Sequence, residues 1–210
     1  MSCAIKLLAY YIVQNPKYQP SVEGVRGAPV LSVNVDGLTC VYSSLIPPQE
    51  FERDDALRFH ALLDAAFQQQ AIIPFRFPTI LQNEIDLQNH LREKVSVYSA
   101  DLHRLADMVQ MELRINTKPE STSPKSGTDY LQSKLQEQQA VHSASKAARA
   151  LVEPLVEEWK ERPTDRGLRC YALVRRNNID AFRQKFAQGF GGTVPPRVSG
   201  PWPATEFLHE

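Results

Sequence analysis

The chain is short of cysteine and has no excess of charge. Its 210 residues include three cysteines, Cys3, Cys40 and Cys170, an odd number with no two closely spaced. That excludes the paired spacings of a zinc site or a redox dithiol. Each lies in an apolar, strand-like stretch, where a free cysteine behaves as a small hydrophobe. Reduced, buried thiols in a cytosol are the expectation. Lys plus Arg and Asp plus Glu both number 24, so the formal charge is zero. Without a basic excess the chain is not built to displace counterions from nucleic acid. A neutral chain also associates with other proteins more readily than a self-repelling one. No apolar run approaches the roughly 20 residues that span a bilayer, so no membrane partner is expected. The stretch Met1 to Val13 lacks a basic n-region and a small-residue cleavage site, and reads as a first strand.

Catalytic signatures are missing as well. There is no HExxH, no histidine pair at metal spacing and no glycine-rich phosphate loop. Gly189-Phe190-Gly191-Gly192 follows a helix instead of opening one, so it reads as helix release. Asp101 and His103 are near in sequence, but residues two apart on a helix do not face each other. The chain is expected to be no enzyme and to hold no cofactor and no metal.

What is present is ordinary globular material, 42% hydrophobic and 23% charged, enough for one large or two small domains. Ala4 to Val13 reads as a strand stopped by Pro16. Val30 to Leu45 alternates around Asp36-Gly37, a hairpin signal. Asp54 to Gln70 repeats apolar residues at helical spacing, with Asp54 or Asp55 near its start. Ile72 to Pro78 is a short aromatic strand bounded by prolines, suited to a sheet edge. Asn83 is placed to cap a helix from Glu84 to Met108, and Val109 to Ile115 alternates as a strand. Asn116 to Gly127 is polar and reads as a surface loop. Thr128 to Glu161 reads as one long helix kinked at Pro154, with its start, Tyr130 to Val141, free to project. Its apolar spacing is too irregular for a coiled coil. Leu168 to Arg175 is a strand, Ile179 to Gln188 a helix, and Val194 to Val198 leads into the tail. The expected fold is α+β in two domains. Residues 1–108 carry the hairpin, a strand and two helices. Residues 109–210 carry a βαβαβ pattern with the long kinked helix and a docked tail.

Three motifs stand in a fixed order. Ile73-Pro74-Phe75-Arg76-Phe77-Pro78-Thr79 resembles the LPLRFGT strand of the gas vesicle GvpL/GvpF family. Gly127-Thr128-Asp129-Tyr130-Leu131-Gln132-Ser133-Lys134 is similar to that family's G-x-x-YL-x-x-K helix opening. Gly200-Pro201-Trp202-Pro203 resembles its C-terminal GPWPPYSF signature. Pro78 replaces the usual glycine, and Thr205 and Glu206 replace the Tyr-Ser part of the tail. The resemblance implies a non-catalytic accessory protein of gas vesicle formation, cytoplasmic and vesicle-associated. Its implied partners are the small hydrophobic shell protein and other gas vesicle accessory proteins. It implies a ferredoxin-like second domain. A passive vesicle component, and a small-molecule enzyme or sensor on a ferredoxin-like scaffold, are the alternatives.

The candidate contact or structural residues are Phe75, Arg76, Phe77, Tyr130, Trp202 and Phe207. Strand alternation sets Arg76 opposite both phenyl rings, where pairing with Glu84 or Asp86 is expected. Trp202, held between two prolines, is expected to dock in the core; an exposed tryptophan would instead be a natural partner hot spot.

Overall fold

The computed structural model describes residues 5–14, 23–116, 127–191 and 194–209. The loop expected at 116–127 falls almost wholly outside them. The chain divides into two compact units, residues 1–107 with 208–210, and residues 108–207.

The first unit is built on a four-stranded antiparallel sheet. Its strands are β1 (Lys6–Gln14), β2 (Val30–Val35), β3 (Leu38–Leu45) and β4 (Ile73–Leu81), in the order β2-β3-β1-β4. Central β1 is apolar throughout because both its faces are covered; every residue from Leu7 to Val13 is buried. Helix α1 (Arg53–Gln69) lies on one face, with the Phe59 ring 5.3 Å from Tyr10. Helix α2 (Glu84–Arg104) covers the other, where Leu87, Leu91 and Leu102 join Leu7, Ala9, Ile12 and Cys40 in one core. The β2–β3 turn puts Asp36 at φ 51 and Gly37 at φ 86, the two left-handed residues of a type I′ hairpin.

Local polar groups fix the helix starts. Asn83 Oδ1 accepts from the Asp86 N–H at 2.9 Å, the cap that its position in the sequence suggests. At α1 the Glu52 N–H donates to Asp55 Oδ2 at 3.0 Å. The same carboxylate takes a fork from Arg26, Nε at 3.0 Å and one terminal nitrogen at 2.8 Å. That fork outweighs the cost of burial and holds the Asp55 carboxyl below its ordinary range.

The second unit contains β5 (Met108–Asn116), α3 (Gly127–Val152), β6 (Val156–Thr164), β7 (Gly167–Arg175), α4 (Ile179–Ala187) and β8 (Arg197–Trp202). The strands form an antiparallel sheet in the order β6-β7-β5-β8. The expected βαβαβ pattern is therefore corrected to βαββαβ, and the long kinked helix to a shorter one followed by a strand. Pro154 does not kink a continuing helix. The helix ends at Val152, and Pro154 sits in a 3-10 turn, Glu153–Leu155. Residues 156–161, helix-compatible by composition, pair with β7 instead, from Val156↔Val174 to Thr164↔Gly167. Main-chain partners supplied by β7 override the local preference. No helix among the described residues is long and apolar enough to cross a membrane.

Candidate functional site: exposed surfaces and the anchored tail

The β4 segment does not follow simple alternation. β1 pairs Tyr11 with Pro74 and Ala9 with Thr79, so Phe75, Arg76, Phe77 and Pro78 bulge out of the ladder opposite Tyr10. Tyr10 is itself skipped by the ladder; its hydroxyl donates to Ser43 Oγ at 2.9 Å and accepts from the Val25 N–H at 3.0 Å. The bulge sends the two phenylalanines to different faces. Phe77 packs on Phe59 and Phe51, centroids 5.0 and 5.2 Å apart. Phe75 packs on the α2 side, 5.9 Å from His90. The expectation of both rings on one face is thus corrected.

The expected Arg76 ion pair is also corrected. Arg76 is exposed and bonds neither Glu84 nor Asp86. Glu84 accepts from the Tyr42 hydroxyl and from Gln88 Nε2, each at 2.9 Å. Burial, with the Glu84 bond, pushes the Tyr42 phenol up to about 12. The Arg76 main chain is held, since its carbonyl accepts from Thr79 Oγ1 at 2.6 Å. The guanidinium is left at the surface of an edge strand.

In the second unit the Gly-Pro-Trp motif forms β8 itself. Gly200 has φ +112, and a Cβ there would lie 2.8 Å from the Gln110 carbonyl oxygen. Only glycine fits this approach of β8 to β5. Trp202 is 44% exposed, against the expectation that it docks in the core. It lies on an edge strand, opposite Gln110, and its indole N–H reaches only Ser199 Oγ at 3.5 Å. The buried anchor is Phe207, 2% exposed, with Lys160 Nζ 5.2 Å from its ring centroid. Its neighbour Glu206 is tied three ways. Its N–H donates to Gln110 Oε1 at 3.0 Å, its carbonyl accepts from Lys160 at 2.8 Å, and its carboxylate pairs with Arg162 at 2.8 Å.

Leu208 and His209 belong to the first unit. Leu208 packs against the α2 core. His209 donates its N–H to Asp101 Oδ2 at 2.9 Å, and its Nδ1 lies 2.6 Å from Oδ1. Asp101 is fully buried and also holds Arg104 at 3.3 Å. Nearby His103 is not the partner of Asp101; the partner, His209, is distant in the chain, and no local pattern signals it.

Helix α3 is divided along its length. Val141, Ala144, Ser145, Ala148 and Val152 are buried, whereas Leu131 and Leu135 are 68% and 56% exposed. No residue from 131 to 140 is buried, so the first half of the helix adds nothing to the core. Tyr130 is in this half; its side chain lies outside the described residues.

One polar cluster has the makings of chemistry. Ser145 Oγ donates to Glu161 Oε1 at 2.6 Å and lies 3.4 Å from Cys170 Sγ; the Trp159 indole also donates to Glu161, at 2.9 Å. Burial pushes the Cys170 thiol up to about 11, far from the thiolate a nucleophile needs. Burial works against the Glu161 charge, but the Ser145 and Trp159 bonds prevail and hold its carboxyl low. The cluster fastens α3 to β6 and β7. Among the described residues no group of three or more His, Cys, Asp or Glu side chains is placed to hold a metal.

The fold is found in solved structures of other proteins. The crystal structure of the gas vesicle protein GvpF from Anabaena sp. PCC7120 superposes with a TM-score of 0.77 at 16% identity, covering 99% of both chains. The GvpF structure from Microcystis aeruginosa gives 0.75 at 15% identity, covering 98% of this chain and 99% of that one. At such identity these matches show the shared fold. No curated protein sequence matches this one. Residues 6–209 match the family described as gas vesicle synthesis protein GvpL/GvpF, and the chain belongs to that family.

Proposed function

We propose that this chain acts by binding, as a non-catalytic accessory protein that covers the apolar surface of the gas vesicle shell protein before it assembles. The family match over residues 6–209 is the observation that carries this reading. The physical rationale is simple. An unassembled hydrophobic subunit exposes apolar area, and each Å² covered is worth about 25 cal/mol. A reversible cover keeps the subunit from aggregating wrongly. The exposed leucines of α3 support the reading as apolar area open to a partner, and the exposed Trp202 and Arg76 as residue types enriched where partners bind most strongly. In this reading Arg76 and Trp202 face partners and Tyr130 is a candidate contact, while Phe75, Phe77 and Phe207 hold the structure.

The same proposal treats the two units as the protein's two domains and the βαββαβ unit as ferredoxin-like. It places the protein in the cytoplasm and at gas vesicles, with other vesicle accessory proteins as further partners. Co-purification tests it. The shell protein is expected to be retained by the immobilised, folded chain. No retention, with both proteins shown to be folded, would remove the proposal.

A further inference from the structure

Each of the two sheets has two edges, and three of the four edge strands are guarded. β4 carries Pro74, Arg76 and Pro78 and bulges; β6 is strongly charged and carries Pro163; β8 carries Arg197 and Pro201. Proline, charge and bulges are the usual devices that stop a foreign strand from pairing. β2, Val-Leu-Ser-Val-Asn-Val, has none of them and keeps an unbroken register of six pairs with β3. The two-residue turn makes Val35 and Leu38 the closing hydrogen-bonded pair. Val35, Val33 and Leu31 therefore bond β3, and the N–H and C=O groups of Asn34, Ser32 and Val30 point away from the sheet. No backbone bond outside the sheet reaches them among the described residues. Leu31 is 41% exposed beside buried Val33, so an apolar step flanks the open ladder.

We propose that β2 is a strand-docking edge, and that its occupant is an extended, uncharged segment of the apolar partner with aliphatic side chains at alternate positions. Main-chain pairing supplies the affinity, and the Leu31–Val33 step selects the aliphatic side chains. Charge matching argues for this occupant: β2 carries no ionisable side chain and so offers a charged strand no ion pair, whereas aliphatic side chains beside Leu31 and Val33 remove apolar area from water. The inference rests on the reading of the chain as a binder of the apolar shell subunit.

The test compares wild type, Ser32→Pro and Ser32→Lys. Ser32 points its N–H outward, so proline there removes no bond to β3, and lysine serves if the proline variant fails to fold. Shell-protein binding is measured for each, with amide exchange over residues 30–35. A capped peptide of alternating valine and threonine is the second probe, with a lysine-substituted peptide as control. Both variants are expected to bind the shell protein at least about tenfold more weakly, which is roughly 1.4 kcal/mol. The amides of Val30, Ser32 and Asn34 are expected to be protected on binding in the wild type. Equal binding by all three proteins, without protection of β2, overturns the edge while leaving the proposed function standing. Peptide protection of β2 without any shell-protein binding supports the edge and removes the proposed function. Self-association of the chain abolished by Ser32→Pro would show a second copy as the occupant and overturn the choice of partner.

Discussion

Trp202 and Phe207 stand close together in one tail and do opposite jobs. The tryptophan is exposed on an edge strand, and the phenylalanine fills the core of its unit. Phe207→Ala is expected to cost about 3–5 kcal/mol in urea unfolding, as for other buried phenylalanines. Trp202→Ala is expected to cost less than about 1 kcal/mol, the usual range for an exposed site. The sequence marks the tail as distinctive but not which aromatic is the anchor. Two prolines around Trp202 suggest immobility, and immobility is not burial. Asp55 is a second residue whose role depends on a distant partner, since Arg26 forks onto it. The fork lowers its carboxyl in the folded state, so the stabilisation is full above the unfolded value of about 3.9 and fades as pH falls through the lower folded value. Wild type is therefore expected to be more stable than Asp55→Asn at neutral pH. That advantage should shrink steadily below about pH 4, read as the difference in urea midpoint across a pH series.

Elements were legible where local chemistry decides them. Asp36-Gly37 announces its hairpin through two left-handed residues, and Asn83 announces a helix through its side-chain cap. Asn83→Ala should lower stability by about 1 kcal/mol, within the 0.5–2 kcal/mol usual for helix caps, measured by urea denaturation. Elements were not legible where a partner decides them. Residues 156–161 look helical because Glu, Lys and Trp at those spacings suit a helix, and only the open ladder of β7 makes them a strand. The β4 segment shows the same limit on a smaller scale. Alternation predicts one face for Phe75 and Phe77, but a bulge opposite Tyr10 gives them two.

At the scale of the whole molecule, the fold is shared with GvpF structures of 15–16% identity. Such divergence leaves the backbone course intact because most positions need only the right polarity and size. The exceptions are sites where geometry dictates the residue, such as Gly200 against Gln110. The motif that identifies the family is thus partly a backbone requirement of β8. The last residues show what a chain-wide reading misses: Phe207 closes the second unit while Leu208 and His209 complete the first, through a buried aspartate. In the proposed role the protein is a surface that covers apolar area without making or breaking a bond. The most direct test of that role is light scattering as denatured shell protein is diluted into buffer, with and without this chain and with no nucleotide present. Suppressed scattering that saturates near a stoichiometric ratio is the result the account predicts; scattering that rises unchanged in the presence of the folded chain would contradict it.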